Sequence, residues 1–324
     1  MSYIPPYQIT DKILSLVSEI SEKIGKINER TNLDSKPHLR KNNKIRSIHS
    51  SLKIEANSLS FEEVRDVING RTVIGARKEI QEVKNAYAAY EQIGKFDIYN
   101  LEDFKRLHGV MTKYIEDESG SFRKGEEGVF NGDKCIFMAP PAQMQNLFDW
   151  MKNSGDKVHP LILASVFHYE FVIIHPFSDG NGRMARLWHT AILAAWRPIF
   201  EFIPIESQIE KFQEGYYDAI AKCHIDGAST MFIEFMLTQI STVLDEILNT
   251  VVSSSDNLSE YVKKLLSVME YDTPYTANAI LDLLGLKSKE TLRKNYLGPA
   301  IENGLIKMTL PDKPNSRNQR YIKI

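Results

Sequence analysis

The chain has 324 residues, 43% of them hydrophobic, with a formal net charge of −2. That is apolar material for about two to three packed domains, and too little net charge for a general nucleic-acid coat. Cys135 and Cys223 fit neither a zinc site nor a disulfide framework, the first apolar run is broken by charges, and no stretch could span a membrane. A cytoplasmic protein with reduced thiols is the expectation.

Residues 1–10, with Pro5 and Pro6, read as an extended lead-in. Residues 11–30 place Ile13, Leu14, Val17, Ile20, Ile24 and Ile27 at helical spacing, which predicts a packing helix. A second helix is expected over 38–55, with Asn57 as its stop. Glu55 falls at that helix end, where its charge faces the dipole unfavourably. Ser60 and Glu63 form a capping box for a third helix, closed by Asn69-Gly70. Residues 76–93 predict a fourth, closed by Gly94, and Asn100 caps a fifth with Phe104, Leu107, His108 and Met111 inward. His108 reads as a core or cap histidine rather than a ligand.

From 129 to 137 the pattern changes to strand-like arms around Asn131-Gly132, a hairpin signal, stopped by Pro140-Pro141. Such an edge can pair with an extended segment of another protein. Pro160 suits the first turn of a helix that is apolar on most sides. It ends at His175-Pro176-Phe177-Ser178-Asp179-Gly180-Asn181-Gly182-Arg183-Met184-Ala185-Arg186, after which a second buried helix runs to Pro198. Two glycines let backbone amides approach an anion, and the new helix start favours negative charge. Arg183 and Arg186, three apart, share a face. Asp179 offers one hard carboxylate for a nucleotide-bound magnesium, and His175 can accept a proton near neutral pH. Together these are parts for nucleotide chemistry at phosphorus. A glycine-containing turn with stray charges would leave this dense set of polar groups unexplained.

At these residues the chain resembles the Fic family: His-Pro-Phe-x-Asp-Gly-Asn-Gly-Arg-x-x-Arg is filled at every fixed position by 175–186. The resemblance implies a mainly α fold, with a Fic-type helical core over 95–250, a β-hairpin flap, and an N-terminal helical region over 1–94. It implies His175 as catalytic base and Asp179 as the magnesium ligand. Gly180, Asn181, Gly182, Arg183 and Arg186 would hold the phosphates of ATP. Pro5-Pro6-Tyr7 and the helix after it resemble the N-terminal extension of many Fic proteins. Ser51-x-x-x-Glu55 is similar to the family's inhibitory motif, whose Glu reaches the second motif Arg, here Arg186. The chain departs from that motif at Ala56, where Gly or Asn is expected. Gly120-x-Phe122-Arg123 through the double proline resembles the flap, which over 122–140 would align an extended segment of a target protein. Tyr216-Tyr217, in the helix from Gln213, stands where the family keeps a tyrosine pair beside adenine, so both are candidate nucleotide contacts. Phe232-Ile233-Glu234-Phe235-Met236-Leu237 starts another core helix.

Residues 252–257, Val-Ser-Ser-Ser-Asp-Asn, read as a linker. Helices are expected over 258–269, 276–284 and 288–303, then strands over 304–308 and 319–324. Helix–turn–helix before a hairpin resembles a small winged-helix domain over 257–324. Lys287, Lys289, Arg293, Lys294, Lys307, Lys313, Arg317, Arg320 and Lys323 outnumber Glu290, Glu302 and Asp312 there, which suits DNA phosphates or a protein-interaction module.

The resemblance therefore implies a protein adenylyltransferase that moves AMP from ATP, with Mg2+, to a Ser, Thr or Tyr hydroxyl, restrained by Glu55. One alternative is a hydrolase of the same family that removes AMP, with Glu55 orienting water. Another is a DNA-binding regulator whose core senses nucleotide; intact His175 and Asp179 argue against that. Some relatives use UTP or a phosphocholine compound as donor. A P-loop enzyme is excluded, since no Gly-x-x-x-x-Gly-Lys-Ser/Thr occurs. ATP, a target protein, DNA through 257–324 and a second copy of the chain are the partners to test, with no membrane among them.

Overall fold

The computed structural model describes residues 3–31, 37–124, 128–131, 134–137, 139–256, 259–270, 273–314 and 316–323. The chain divides into two compact units, Met1–Leu248 and Asn249–Ile324. No helix among the described residues is long and apolar enough to cross a membrane.

The first unit is built on a helix that is hydrophobic on almost every side. Helices α1 (Asp11–Thr31), α2 (Pro37–Ile54), α3 (Phe61–Ile68), α4 (Arg77–Tyr90), α5 (Leu101–Met111) and α6 (Gln143–Ser154) precede α7 (Pro160–Ile174), in which every residue from Leu161 to Phe171 is buried. A helix with no polar stripe is stable only when surrounded. Here α8 (Asn181–Trp196), α5 and α6 supply aromatic walls. Phe104 lies 4.8 Å from Trp188 and 5.0 Å from Phe171, both edge-on, and 5.4 Å from Phe148. Each such pair contributes about 0.5–1.5 kcal/mol beyond its buried area. Helices α9 (Ile205–Lys211), α10 (Gln213–Asp226) and α11 (Thr230–Asp256) complete the layer order.

Local signals place most of these elements. The Ser60–Glu63 capping box forms in full, and Asn100 accepts from the N–H groups of Glu102 and Asp103. The lead-in is strapped down by bonds from Ser229 N to Pro6 O and from Gln8 N to Thr230 Oγ1. Leu14, grouped above with the packing positions, is 58% exposed, because it falls outside the stripe of Ile13, Ile20, Ile24 and Ile27. Strands β1 (Gly128–Asn131) and β2 (Lys134–Phe137) pair antiparallel, with Asn131 opposite Lys134. Gly132 and Asp133, which carry the expected turn, lie outside the described residues.

In the second unit, helices α12 (Glu260–Val268) and α13 (Ala277–Leu284) lead to a helical stretch over Lys289–Glu302. That stretch opens into wider turns at Leu292–Leu297, just before Pro299, which has no N–H to give the carbonyl four residues back. Strands β3 (Pro274–Tyr275), β4 (Ile306–Met308) and β5 (Tyr321–Lys323) make an antiparallel sheet in the order β3-β5-β4. Residues 252–256, read as linker, instead continue α11, and Asn257 lies outside the described residues. Serines are tolerated in a helix once it is nucleated, so composition alone misplaces this boundary.

Candidate active site

The segment 175–186 joins the ends of α7 and α8. His175 closes α7 in the left-handed conformation, φ 49° and ψ 56°, with its N–H on Phe171 O. A β-carbon disfavours that conformation, so the loop must be held from outside. Arg123 does this. Its Nε donates to His175 O at 2.8 Å, its Nη2 to Ala139 O at 2.7 Å, and its backbone N to Pro176 O at 2.9 Å.

Inside the loop, Phe177 is fully buried, with its ring 3.5 Å from and parallel to that of His108. His108 is read correctly as a core residue, and its bonds go further. Gly120 N donates to its Nδ1 at 3.0 Å, so Nε2 carries the proton and donates to Asp179 O at 2.9 Å. Burial lowers the His108 pKa to about 4, which keeps this neutral tautomer in place at any ordinary pH. Asn181 closes the turn: its side chain takes Phe177 N at 3.0 Å and gives to Phe177 O at 2.7 Å. The side-chain amide thus clamps the Phe177 backbone with its oxygen and one N–H, and these two bonds leave its second N–H unused.

The loop ends at an anion cradle. Gly180 caps α8 at φ 82°, and a β-carbon there would lie 2.9 Å from Thr112 Cγ2. Helix α8 begins at Asn181, so the first free N–H groups follow at once. Asp179 accepts from Gly180 N at 2.6 Å and from Arg183 Nη2 at 2.9 Å. Burial favours its acid form, but Arg183 and the Gly180 N–H outweigh that and hold the carboxyl below the usual range. Its oxygens keep lone pairs beyond these two bonds, so one hard ligand for a nucleotide-bound cation fits here. Arg183 is buried, and its Nε and Nη1 have no hydrogen-bond partner among the described residues. Glu82 lies 3.6 Å from Nη1. Burial lowers the His175 pKa, with Arg123 adding to the drop and Glu55 and Asp179 opposing it, so the ring is an unprotonated acceptor at neutral pH.

Arg186 is gripped from α2. Its Nε donates to Ser51 Oγ at 2.9 Å, and its Nη2 donates to Ser51 O at 2.9 Å and to Glu55 Oε1 at 2.7 Å. A β-carbon built on Gly182 would lie only 2.2 Å from Glu55 Oε1, so this carboxylate rests on the first turn of α8. Ala56 takes the expected glycine's place and its conformation, φ 64°. The N–H of Asn57 reaches Leu52 O and that of Ala56 reaches Lys53 O, which turns the chain off the helix with Glu55 just past its last residue, Ile54.

The tyrosine pair separates. Tyr216 is 2% exposed, its hydroxyl 2.8 Å from His168 Nε2 and its ring 5.7 Å from Phe232. It has no face left for adenine, and the expectation for it is corrected to a core residue behind Arg186. Tyr217 is 49% exposed and stays available. Successive helical side chains point about 100° apart, and on α10 it is Tyr216 that faces the core. Arg123, Tyr90 and Glu206 touch this assembly without having been singled out as site residues.

The comparisons point one way. The model of the Fic/DOC family matches residues 98–193, and that of the "Filamentation induced by cAMP protein Fic-like, C-terminal domain" matches 260–322. The chain is 39% identical to a Fic family protein of Desulfovibrio desulfuricans of known structure, covering 99% of this chain and 98% of that one, with a TM-score of 0.74. A Fic domain-containing signaling protein from Bacteroides thetaiotaomicron, 19% identical, shares the fold over 75% of this chain and 97% of its own, with a TM-score of 0.60. The protein adenylyltransferase Fic of Aedes aegypti is 29% identical over 218 residues, which is 62% of this chain and 41% of that protein. The chain thus spans about two fifths of the length of the curated relatives it matches.

Proposed function

The chain belongs to the Fic family, and on that premise we propose that it is a protein adenylyltransferase held in check by its own Glu55. One observation carries the reading: a carboxylate from α2 lies against Gly182 and Arg186 at the start of α8, where a phosphate group would be held. The first turn of α8 and the spare Arg183 N–H groups supply the cradle. His175 takes the proton of a Ser, Thr or Tyr hydroxyl as its oxygen attacks the α-phosphorus of ATP; the bond from that phosphorus to the α–β bridging oxygen breaks, and pyrophosphate leaves. Asp179 holds magnesium, which when bound neutralises charge on the phosphates. Arg183 and Arg186 orient the phosphate chain, and the work of the protein is mainly positioning and charge stabilisation.

The pair β1 and β2 is the surface on which an extended target segment would lie. In the second unit, Lys289, Arg293 and Lys294 are exposed on the stretch after α13, and Lys307, Arg317 and Arg320 are exposed in the β4–β5 region. That charge supports a winged-helix unit that contacts DNA phosphates.

The test is incubation with labelled ATP and magnesium, followed by mass spectrometry of self-modified peptides. Added AMP that is absent from His175→Ala supports the reading. No label in either the wild type or Glu55→Gly would overturn it. Loss of AMP from a premodified substrate would favour the hydrolase instead.

A further inference from the structure

Arg183 faces two carboxylates, Asp179 at 2.9 Å from its Nη2 and Glu82 at 3.6 Å from its Nη1. Both ends of the second pair are shielded from water, the arginine side chain 4% exposed and the glutamate 14%. A gap of 3.6 Å is too long for a hydrogen bond, so charge holds Glu82 at this guanidinium. Its other oxygen is used differently: Glu82 Oε2 accepts from Asn57 Nδ2 at 2.8 Å. Asn57 is buried and stands two residues after Glu55. Its backbone N–H makes the bond to Leu52 O that turns the chain off α2, and its Oδ1 accepts from Leu59 N at 3.2 Å. Its Nδ2 also donates to Glu79 O at 3.3 Å. Glu79, three residues before Glu82 on α4, accepts from the N–H and the hydroxyl of Ser58 at 2.7 and 3.0 Å.

The turn that presents Glu55 is therefore tied to α4 as well as to α2. Residues three apart share a helix face, so Glu79 and Glu82 grip the turn from one side of α4. The turn needs that grip. Ala56 is left-handed at φ 64°, a conformation that a β-carbon disfavours. Glu55 lies just past Ile54, the last residue of α2, so the helix by itself does not fix its direction. Its Oε1 nonetheless meets Arg186 Nη2 at 2.7 Å. A contact that short is kept only by a backbone whose neighbours are themselves held. A hydrogen bond from a buried amide to a charged oxygen is strong enough to hold it.

We propose that Glu82 is the positioning residue of the restraint: through Asn57 it holds the turn that sets Glu55 on Arg186. Arg183 keeps Glu82 in place by charge, and Glu82 keeps Asn57 in place by a hydrogen bond. The two arginines of the motif thus meet through the restraint, Arg183 at its anchor and Arg186 at its working end. The effect of Asn57 on transfer runs through Glu55. The inference rests on the reading of Glu55 as a restraint.

The test uses the full chain. Asn57→Ala cuts the latch and leaves Glu55, Arg183 and Arg186 in the chain. A lost bond to a charged group is worth about tenfold, so the initial rate of self-labelling with ATP and magnesium should rise about three- to tenfold, less than in Glu55→Gly. In the Glu55→Gly background the same substitution should change the rate by less than about twofold, because the group it positions is gone. A residue that merely stabilised the fold would act alike in both backgrounds. No rise in Asn57→Ala, or an equal rise without Glu55, overturns the proposal. A second measurement needs no nucleotide. The amides of residues 56 and 57 donate to Lys53 O and Leu52 O. Their hydrogen exchange, read by mass spectrometry of the peptide over 52–58, should speed up about tenfold in Asn57→Ala and in Glu82→Ala. The double variant should add less than about twofold, since both substitutions break one bond. Unchanged exchange in either single variant, or full additivity, refutes the link. If Glu55→Gly labels itself no faster than the unsubstituted chain, the restraint reading fails, and exchange alone decides the latch: unchanged exchange sinks it.

Discussion

Replacing Glu55 by Gly is the sharpest perturbation of the proposed restraint. The Arg186–Glu55 contact is 2.7 Å long, with the arginine side chain 1% exposed and the glutamate 36%. Exposed ion pairs are worth under about 1 kcal/mol, and breaking buried ones costs about 3–5 kcal/mol. A pair with one dry and one wet partner falls between, at about 2 kcal/mol, which is about thirtyfold in rate if the whole contact must break before ATP seats productively. The substitution also clears the space above Gly182, since the nearest atom to a β-carbon there is Glu55 Oε1. Initial rates of self-labelling, compared at equal ATP and magnesium, should therefore rise about ten- to a hundredfold in Glu55→Gly. Glu55→Gln keeps the bulk and removes the charge, and should fall between the two. Equal rates for wild type and Glu55→Gly would refute the restraint. A lower rate would mean that Glu55 takes part in the chemistry, as an AMP-removing enzyme requires.

His175→Ala should lower transfer by about a hundredfold or more, with ATP affinity retained, as read by paired labelling and binding measurements. The pKa of His175 is lowered by burial, so its base form survives further into acid than that of an ordinary histidine; the acid limb of kcat/KM should lie below pH 6.5, and a limb above it would contradict the assignment. Ala56→Gly relieves a left-handed alanine at φ 64°; after the entropy glycine gains in the unfolded chain, it should stabilise by about 0.5–1 kcal/mol, read as a rise in Tm of a few degrees, and a fall in Tm would refute the strain. If the second unit binds DNA through about four phosphates, affinity should fall about a hundredfold between 50 and 200 mM salt. A chain ending at Asp256 should keep self-labelling and lose that binding, and salt-independent binding by the full chain would favour a protein partner instead.

The motif at 175–186 was legible because twelve contiguous residues carry both its chemistry and its geometry. The helix-breaking residues that mark the turn also form it: Gly180 caps α8 and Phe177 anchors the loop. Ser51 and Glu55 were legible through their spacing, since residues four apart share a helix face and can grip one guanidinium from two sides. Ala56 was a departure on paper, yet it adopts the conformation of the glycine it replaces, because the Leu52 and Lys53 carbonyls still need partners there.

What stayed hidden is what depends on the partner rather than on the residue. Arg123 reads as one more flap residue, and only the fold brings it to the carbonyls of Ala139, Ile174 and His175, where it holds a left-handed histidine that no local signal could support. Tyr216 and Tyr217 look interchangeable in sequence, but a helix separates adjacent side chains by about 100°, and α10 packs on the core on one side, which buries Tyr216 and leaves Tyr217 exposed. Glu206 carried a faint signal, being a charged residue in an apolar run, Ile203-Pro204-Ile205-Glu206. Charge in such a place demands a partner, though sequence cannot say which. The structure answers with Tyr90 of α4 and Thr190 of α8, which both donate to Glu206 Oε1.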